Sequence, residues 1–259
     1  MEGTGPVVMV LKGGHCSRDT RLSHEKLAGV GFCVLTPSRP GYDATPADLG
    51  ETAPEAARTL AALLDQLNIS RVSVIGISAA GPTALAFAAL FPDRVGKLVL
   101  ESAQAWPWTP GTQRLARLGF GEAQALTWAM ARMLLQLAPR ATLRLMLSQL
   151  SSLPIQQVMA ELTPADQRFV EDMIRSQNSG QGGFMNDIQH ILPDLQAVTA
   201  PTLVMFSPND RAVSPKQARF LLAGLPNAET AEVQSTSHLL WIGPQAQQVW
   251  ERRLAFLRS

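Results

Sequence analysis

Ser78 stands where a serine can act as a nucleophile. It lies in Val72-Ser73-Val74-Ile75-Gly76-Ile77-Ser78-Ala79-Ala80-Gly81, a β-branched apolar run followed at once by the Ala-rich helical pattern of residues 82–91. That pattern carries Pro82 in its first turn, where a missing N–H is harmless. A serine at the apex of such a strand-to-helix turn is held in a strained backbone conformation with its hydroxyl projecting, and the helix N-terminus stabilises negative charge beside it. Gly76 and Ala80 flank the apex because larger side chains would collide across the turn. The usual spacing is Gly-x-Ser-x-Gly, and here Ala80 takes the place of the second glycine, with Gly81 one step on. The same stretch would serve an ordinary helix that Ser78 merely caps. Catalysis needs a base, an acid and oxyanion donors from elsewhere in the chain.

The elements that must position Ser78 alternate. Residues 7–11 are apolar on both faces, as a buried parallel strand is, and they feed the glycine-rich turn Lys12-Gly13-Gly14-His15. Residues 19–31 read as a helix closed by Gly29 and Gly31, 32–36 as a strand, and 52–67 as a helix with Asn68 as its stop. The elbow strand and helix follow, then a strand over 95–100. This order predicts a parallel sheet covered on both sides, with ligands beyond the carboxyl ends of its strands. From 104 to 192 strand signals stop, and three or four helical stretches rich in Leu, Met and Ala carry Trp106, Trp108 and Trp128, with a flexible loop expected over 176–183. A strand over 201–206, a helix over 215–225, a strand over 229–233 and a helix over 243–257 complete the chain.

The chain has 259 residues, enough for one domain with a small insertion, and a formal net charge of +1 with 17% charged residues. That balance gives no electrostatic case for nucleic acid or for a membrane surface, and it points to small uncharged substrates. The two cysteines, Cys16 and Cys33, suit reduced thiols in a cytoplasmic protein, with a single bridge as the alternative. Neither a leader peptide nor a membrane span is apparent. With no metal-ligand cluster and no phosphate-binding glycine loop on a cofactor unit, no cofactor and no metal are expected.

Ser73 to Gly81, then Phe91-Pro92-Asp93-Arg94-Val95 leading into Leu98-Val99-Leu100-Glu101-Ser102-Ala103, resembles the central segment of esterase-like members of the α/β-hydrolase superfamily. In that family the loop after the strand at 7–11 usually begins His-Gly and supplies a backbone N–H to an oxyanion. Lys12-Gly13-Gly14-His15 occupies this position, with Lys12 in place of the histidine. The resemblance implies an oxyanion hole from the N–H groups of Gly14 and Ala79, with His15 either a polar group at the mouth of the site or a solvated loop residue. Arg39-Pro40-Gly41-Tyr42 is similar to a loop that braces the oxyanion turn, and equally to any Pro/Gly turn.

Ser207-Pro208-Asn209-Asp210-Arg211-Ala212-Val213-Ser214-Pro215 resembles the family's acid loop, which implies Asp210 as triad acid, with Glu101 at the end of an earlier strand as its rival. Of His15, His24, His190 and His238, only His238 lies in a loop between the last strand and the terminal helix, where the family carries its base. The resemblance further implies a core of 1–103 and 193–259 and a helical cap of 104–192. Trp106 and Trp128 then line an apolar acyl or alkyl pocket.

The implied fold class is α/β, a mostly parallel sheet of about six strands that lacks the family's usual first strands. A partner chain in a homodimer would cover the resulting edge. The implied activity is hydrolysis of small carboxylic esters through an acyl-enzyme. Carbon–carbon bond, lactone or amide hydrolysis by the same residues, or non-catalytic binding of a small ligand, are the alternatives.

Overall fold

The computed structural model describes residues 1–177 and 180–259. Among them six strands pair in parallel: β1 (Val7–Leu11), β2 (Cys33–Leu35), β3 (Val72–Ile77), β4 (Val95–Glu101), β5 (Thr202–Phe206) and β6 (Ala228–Glu232). Their order across the sheet is β2-β1-β3-β4-β5-β6. Alternate residues of each strand serve opposite faces. Met9, Leu11, Val74, Leu98, Leu100, Val204 and Phe206 pack under the helices α1 (Ala53–Gln66), α2 (Gly81–Leu90) and α9 (Pro215–Gly224). Val8, Val10, Ile75, Ile77, Val99, Leu203 and Met205 pack on the other side with α10 (Ala246–Arg258). With both faces buried, β1, β2 and β5 are almost wholly apolar, as the sequence pattern requires, whereas the edge strand β6 is not.

The chain leaves β1 toward β2 in one direction and β3 toward β4 in the other, so strand order reverses between β1 and β3. Crossovers leave a crevice at the carboxyl ends of two such strands. The register Leu11↔Gly76 and Ile77↔Glu101 brings three loops to that crevice: Lys12-Gly13-Gly14, Ser78-Ala79 and Ser102-Ala103.

Between β4 and β5 the chain inserts, among the described residues, five helices before a short sixth, more than the three or four expected: α3 (Pro110–Phe120), α4 (Gln124–Leu137), α5 (Pro139–Leu150), α6 (Ile155–Glu161) and α7 (Pro164–Ser176). A short α8 (Gly183–Asp187) leads back to the sheet. Leu135, Leu143, Leu147, Val158, Val170, Met173 and Ile174 of the insertion belong to the same buried cluster as Ile75 and Ile77, so it is packed onto the sheet's upper layer. Of the loop expected over 176–183, residues 178 and 179 lie outside the described residues.

Two expectations change. The helix over 19–31 is only a 3-10 turn, His24–Val30. Upstream of it the Lys12 ammonium takes the carbonyls of Arg18 and Thr20, and the Ser17 and Thr20 hydroxyls take the N–H groups of Asp19 and Ser17. These side chains compete for the backbone groups a helix would use. The edge of β2 is covered by the chain itself: Glu2 N donates to Val34 O at 2.9 Å and Val34 N to Glu2 O at 2.7 Å. Gly3 allows that approach, since at its φ of +83° a Cβ would stand 2.4 Å from the Phe32 carbonyl oxygen. At the other edge, β6 carries exposed Glu229 and Glu232, charges that discourage strand addition. Cys16 and Cys33 are both free thiols. No helix among the described residues is long and apolar enough to cross a membrane.

Candidate active site

Ser78 has φ +51°, a left-handed conformation that costs a non-glycine residue of the order of 1 kcal/mol or more. The turn is held there by contact. A Cβ on Gly76 would meet Ala84 Cβ at 2.5 Å, and one on Gly13 would come within 3.1 Å of Ser78 Cβ. The Ser78 carbonyl accepts from Gln104 N at 2.9 Å, which ties the elbow to the loop after β4.

His238 and Asp210 reach Ser78 from two other strand ends. His238 Nε2 is 3.0 Å from Ser78 Oγ, and His238 Nδ1 is 2.7 Å from Asp210 Oδ2. The second carboxylate oxygen of Asp210 accepts from Val213 N at 2.8 Å. Both His238 and Asp210 are buried. A carboxylate bonded to Nδ1 keeps the proton on that nitrogen and leaves Nε2 as the acceptor facing the hydroxyl. The histidine loop is pinned by its backbone: His238 O accepts from Ser102 Oγ at 3.0 Å, and His238 N donates to Leu150 O at 2.9 Å. Leu150 O also accepts from Arg211 N at 3.3 Å, and the Ser151 hydroxyl donates to Thr236 O at 2.5 Å. The C-terminal end of α5 therefore clamps the acid and histidine loops together. Nothing in the residue types of Leu150-Ser151 announced this, because most of the bonds are made by the backbone.

Gly14 and Ala79 lie side by side, a Cβ on Gly14 standing 3.5 Å from that of Ala79. Ala79 is in the first turn after the elbow, where a helix leaves N–H groups without an intrahelical acceptor. Glu101, the rival acid, is engaged elsewhere. Its Oε1 accepts from Arg253 Nε at 2.5 Å, and its Oε2 pairs with His24 Nε2 at 2.8 Å and Trp241 Nε1 at 2.7 Å. Burial opposes ionisation of this carboxyl, but the charge of Arg253 and the hydrogen bonds from His24 and Arg253 hold it far below the usual carboxylate range.

This arrangement belongs to a known group. A family model described as alpha/beta hydrolase fold matches residues 15–243. The chain belongs to the α/β-hydrolase fold family. It is 32% identical to the uncharacterized hydrolase YcgS of Bacillus subtilis, over 99% of this chain and 93% of that one. It is 29% identical to a 2-hydroxy-6-oxononadienedioate/2-hydroxy-6-oxononatrienedioate hydrolase of Cupriavidus pinatubonensis, over 90% of this chain and 76% of the relative. Among solved structures, an alpha/beta hydrolase fold protein from Nakamurella multipartita, 27% identical, superimposes with a TM-score of 0.85 over 99% of this chain and 93% of the other.

The departures from the α/β-hydrolase pattern have local explanations. The glycine after the elbow is shifted to Gly81 because a Cβ there would stand 2.6 Å from Gln104 O, whereas the methyl of Ala80 fits the core. Lys12, whose amine burial pulls below its usual pKa, replaces a histidine but still supports the turn through the Arg18 and Thr20 carbonyls. The Arg39-Pro40-Gly41-Tyr42 loop does brace the Gly13 turn. Arg39 bonds both oxygens of Asp187 at 2.7 Å and reaches Gly13 O at 3.4 Å, while Tyr42 OH donates to Asp187 Oδ2 at 2.5 Å. Burial disfavours the Arg39 charge, but Asp187 outweighs it and raises the pKa. Asp187 has no sequence signature of its own.

His15 is half-buried among aromatic rings. Its ring lies 3.8 Å from that of Phe184, 4.3 Å from Phe120 and 5.0 Å from Trp128, centroid to centroid. Its Nδ1 and Trp128 Nε1 are shut off from solvent with no hydrogen-bond partner among the described residues. A Cβ on Gly14 would come 2.7 Å from Phe184, so these rings close over the oxyanion turn. Trp128 is thus beside the turn. Trp106 packs instead against Phe220 of α9, with its ring partly exposed. A cleft of about 360 Å³ shares Trp128 with this cluster, but Ser78 is not among the residues that line it.

Burial pushes the His15 pKa down to about 3, and it lowers those of His24 and His190 as well. A folded pKa below the unfolded value, about 6.5, means that the unfolded chain binds more protons. This contribution to stability is therefore complete above about pH 6.5 and is lost as pH falls toward 3. In that window His15 steepens the loss by up to ~1.4 kcal/mol per pH unit, and His24 and His190 act in the same direction. Urea unfolding of His15→Asn, a residue that tolerates the left-handed φ, should show lower stability at neutral pH but a shallower decline in acid than the wild type. Parallel declines would remove His15 from this account.

Proposed function

We propose that this α/β hydrolase is a serine hydrolase that cleaves carboxylic esters of small, apolar acids through an acyl-enzyme, with Ser78 as nucleophile, His238 as base and Asp210 as acid. The observation that carries the reading is the relay from Asp210 through His238 to Ser78, 2.7 and 3.0 Å, at a serine held at φ +51°. His238 Nε2 takes the Ser78 proton as Oγ attacks the ester carbonyl. The oxyanion so formed is held by the N–H groups of Gly14 and Ala79, and Asp210 stabilises the imidazolium. Collapse expels the alcohol, which receives the proton from His238. Water, deprotonated by the same imidazole, then releases the acid and restores Ser78.

The apolar preference rests on Phe120, Trp128 and Phe184, which surround His15 beside Gly14. In this reading the segment 104–192 acts as a cap over the acyl group, and the protein works in the cytoplasm. Rates on p-nitrophenyl esters of increasing acyl length test it. Turnover should be highest for short acyl chains and fall as the chain outgrows the enclosed aromatic end. A folded protein inert on every ester sinks the reading.

A second reading, hydrolysis of a carbon–carbon bond beside a carbonyl, is favoured by the likeness to the oxononadienedioate hydrolase over 90% of this chain. The unpartnered His15 Nδ1 and Trp128 Nε1 offer polar atoms for a second oxygen of such a substrate. Turnover of a 2-hydroxy-6-oxo-dienedioate with no turnover of esters would favour it.

A further inference from the structure

An α-helix packed on a globular protein buries its apolar stripe and turns its polar face outward. α4 departs from this rule. Its inner face is occupied by Gln124, Trp128, Ala131 and Leu135, yet Leu126, Met130, Met133, Leu134 and Leu137 recur at helical spacing on the exposed side. This second apolar stripe runs about 16 Å along the helix. The helices that pack against α4 expose leucines of their own, α3 with Leu115 and Leu118 and α5 with Leu145, each at least 60% exposed. Scattered exposed leucines are ordinary, whereas an apolar surface shared by three adjacent helices marks a place where something docks.

Charge identifies what docks. Residues 110–150 contain five arginines and a single acidic residue, Glu122, although the whole chain has a formal charge of only +1. The remainder of the chain is therefore net acidic, and the basic character is concentrated on α3–α5. Arg114 and Arg117 alternate with Leu115 and Leu118 on α3, and Arg140 and Arg144 are exposed beside Leu145 on α5. An apolar stripe flanked by arginines is the pattern of a surface that lies on anionic lipid, its leucines and methionines in the acyl boundary and its guanidinium groups among the headgroups. A second copy of the chain fits poorly, because a two-fold contact would set this arginine-bearing patch against itself.

We infer that the outer face of α3–α5 docks this protein on an anionic lipid surface. No helix among the described residues is long and apolar enough to span a bilayer, so the contact is peripheral. α5 carries Leu145 at this face and ends at Leu150, whose carbonyl holds the His238 and Arg211 backbones. Docking would therefore bring the lipid to the helix whose C-terminal end holds the acid and histidine loops. The balanced charge of the chain as a whole conceals this segregation, which is why composition alone argued against a membrane surface.

Flotation of the full chain with phosphatidylglycerol-containing vesicles, with phosphatidylcholine vesicles beside them, tests the inference. Binding should favour the anionic vesicles by about tenfold or more at low salt, and the preference should vanish at high salt. Two variants separate the contributions. Leu126→Gln/Met130→Gln/Leu137→Gln should lose about tenfold on both vesicle types. Arg114→Gln/Arg117→Gln/Arg140→Gln/Arg144→Gln should lose the anionic preference alone. All these residues are exposed, so thermal melts should match the wild type.

No flotation by the wild type, or equal flotation with both lipids, would overturn the inference. So would a concentration-dependent dimer that the apolar variant abolishes, since a second copy would then cover the face. Binding needs no catalysis, so a negative result here leaves the serine-hydrolase reading standing.

Discussion

Ser78→Ala is expected to lower kcat/KM on a p-nitrophenyl ester by about four to six orders of magnitude, with the fold unchanged. The loss should fall on kcat, because the hydroxyl forms its bond only in the chemical step and contributes little to holding the ester. The residual rate should still exceed that in water, since the Gly14 and Ala79 donors and the bound geometry would remain. Ser78→Gly adds a second measurement. Glycine adopts φ +51° without a Cβ penalty, so this variant should be as inactive as Ser78→Ala yet more stable in urea by about 0.5–1 kcal/mol, unless the gain in unfolded-chain entropy offsets it. Equal activity in wild type and Ser78→Ala would show that another group is the nucleophile, and the relay through His238 would lose its purpose.

How much of this was legible in the sequence depends on the kind of group involved. Ser78, Asp210 and His238 each follow a strand, and a strand end announces itself through an apolar run stopped by Gly, Pro, Ser or Asp. Parallel pairing then brings those ends together, although they are 132 and 160 residues from Ser78 in the chain. The strands β1 to β5 were legible for the same reason, whereas β6, with Glu229 and Glu232, has no apolar run and was legible only as a short stretch between a turn and the histidine loop. The partners made by backbone atoms were not, because Leu150 O carries no residue-type signal for the two N–H groups it holds. The Asp187–Arg39 pair spans 148 residues, from a loop to the end of the short helix α8, and neither has a periodic pattern to fix its place. Residues 19–23 read as helix because propensity cannot register that Lys12, from another element, takes the carbonyls of Arg18 and Thr20. In the insertion, hydrophobic spacing located helices but not their partners, so an inward Trp128 and an outward Met130 looked alike in the sequence.

The two carboxylates at strand ends, Glu101 and Asp210, should give opposite phenotypes when each is changed to its amide. Asp210→Asn leaves volume and burial nearly unchanged, but an amide N–H facing His238 Nδ1 makes that nitrogen the acceptor. The imidazole proton is then forced onto Nε2, where it faces Ser78 Oγ and blocks deprotonation. The expected loss in kcat is about 10⁴-fold, with little change in melting temperature. Glu101→Gln does the reverse. Arg253 is fully buried and its two Nη atoms have no partner among the described residues, so the Glu101 carboxylate is the compensating charge at its Nε. The amide would also turn a donor toward His24 or Trp241, both of which now pair with Oε2. Leaving a buried cation uncompensated costs about 3–5 kcal/mol, roughly a 10 °C fall in melting temperature for a chain of this size. Well below that temperature kcat should stay within about an order of magnitude of wild type, because Glu101 touches neither His238 nor Ser78. Calorimetry and ester kinetics on the two variants decide between the carboxylates. A Glu101→Gln enzyme that melts normally but has lost its turnover would transfer the acid's role from Asp210 to Glu101.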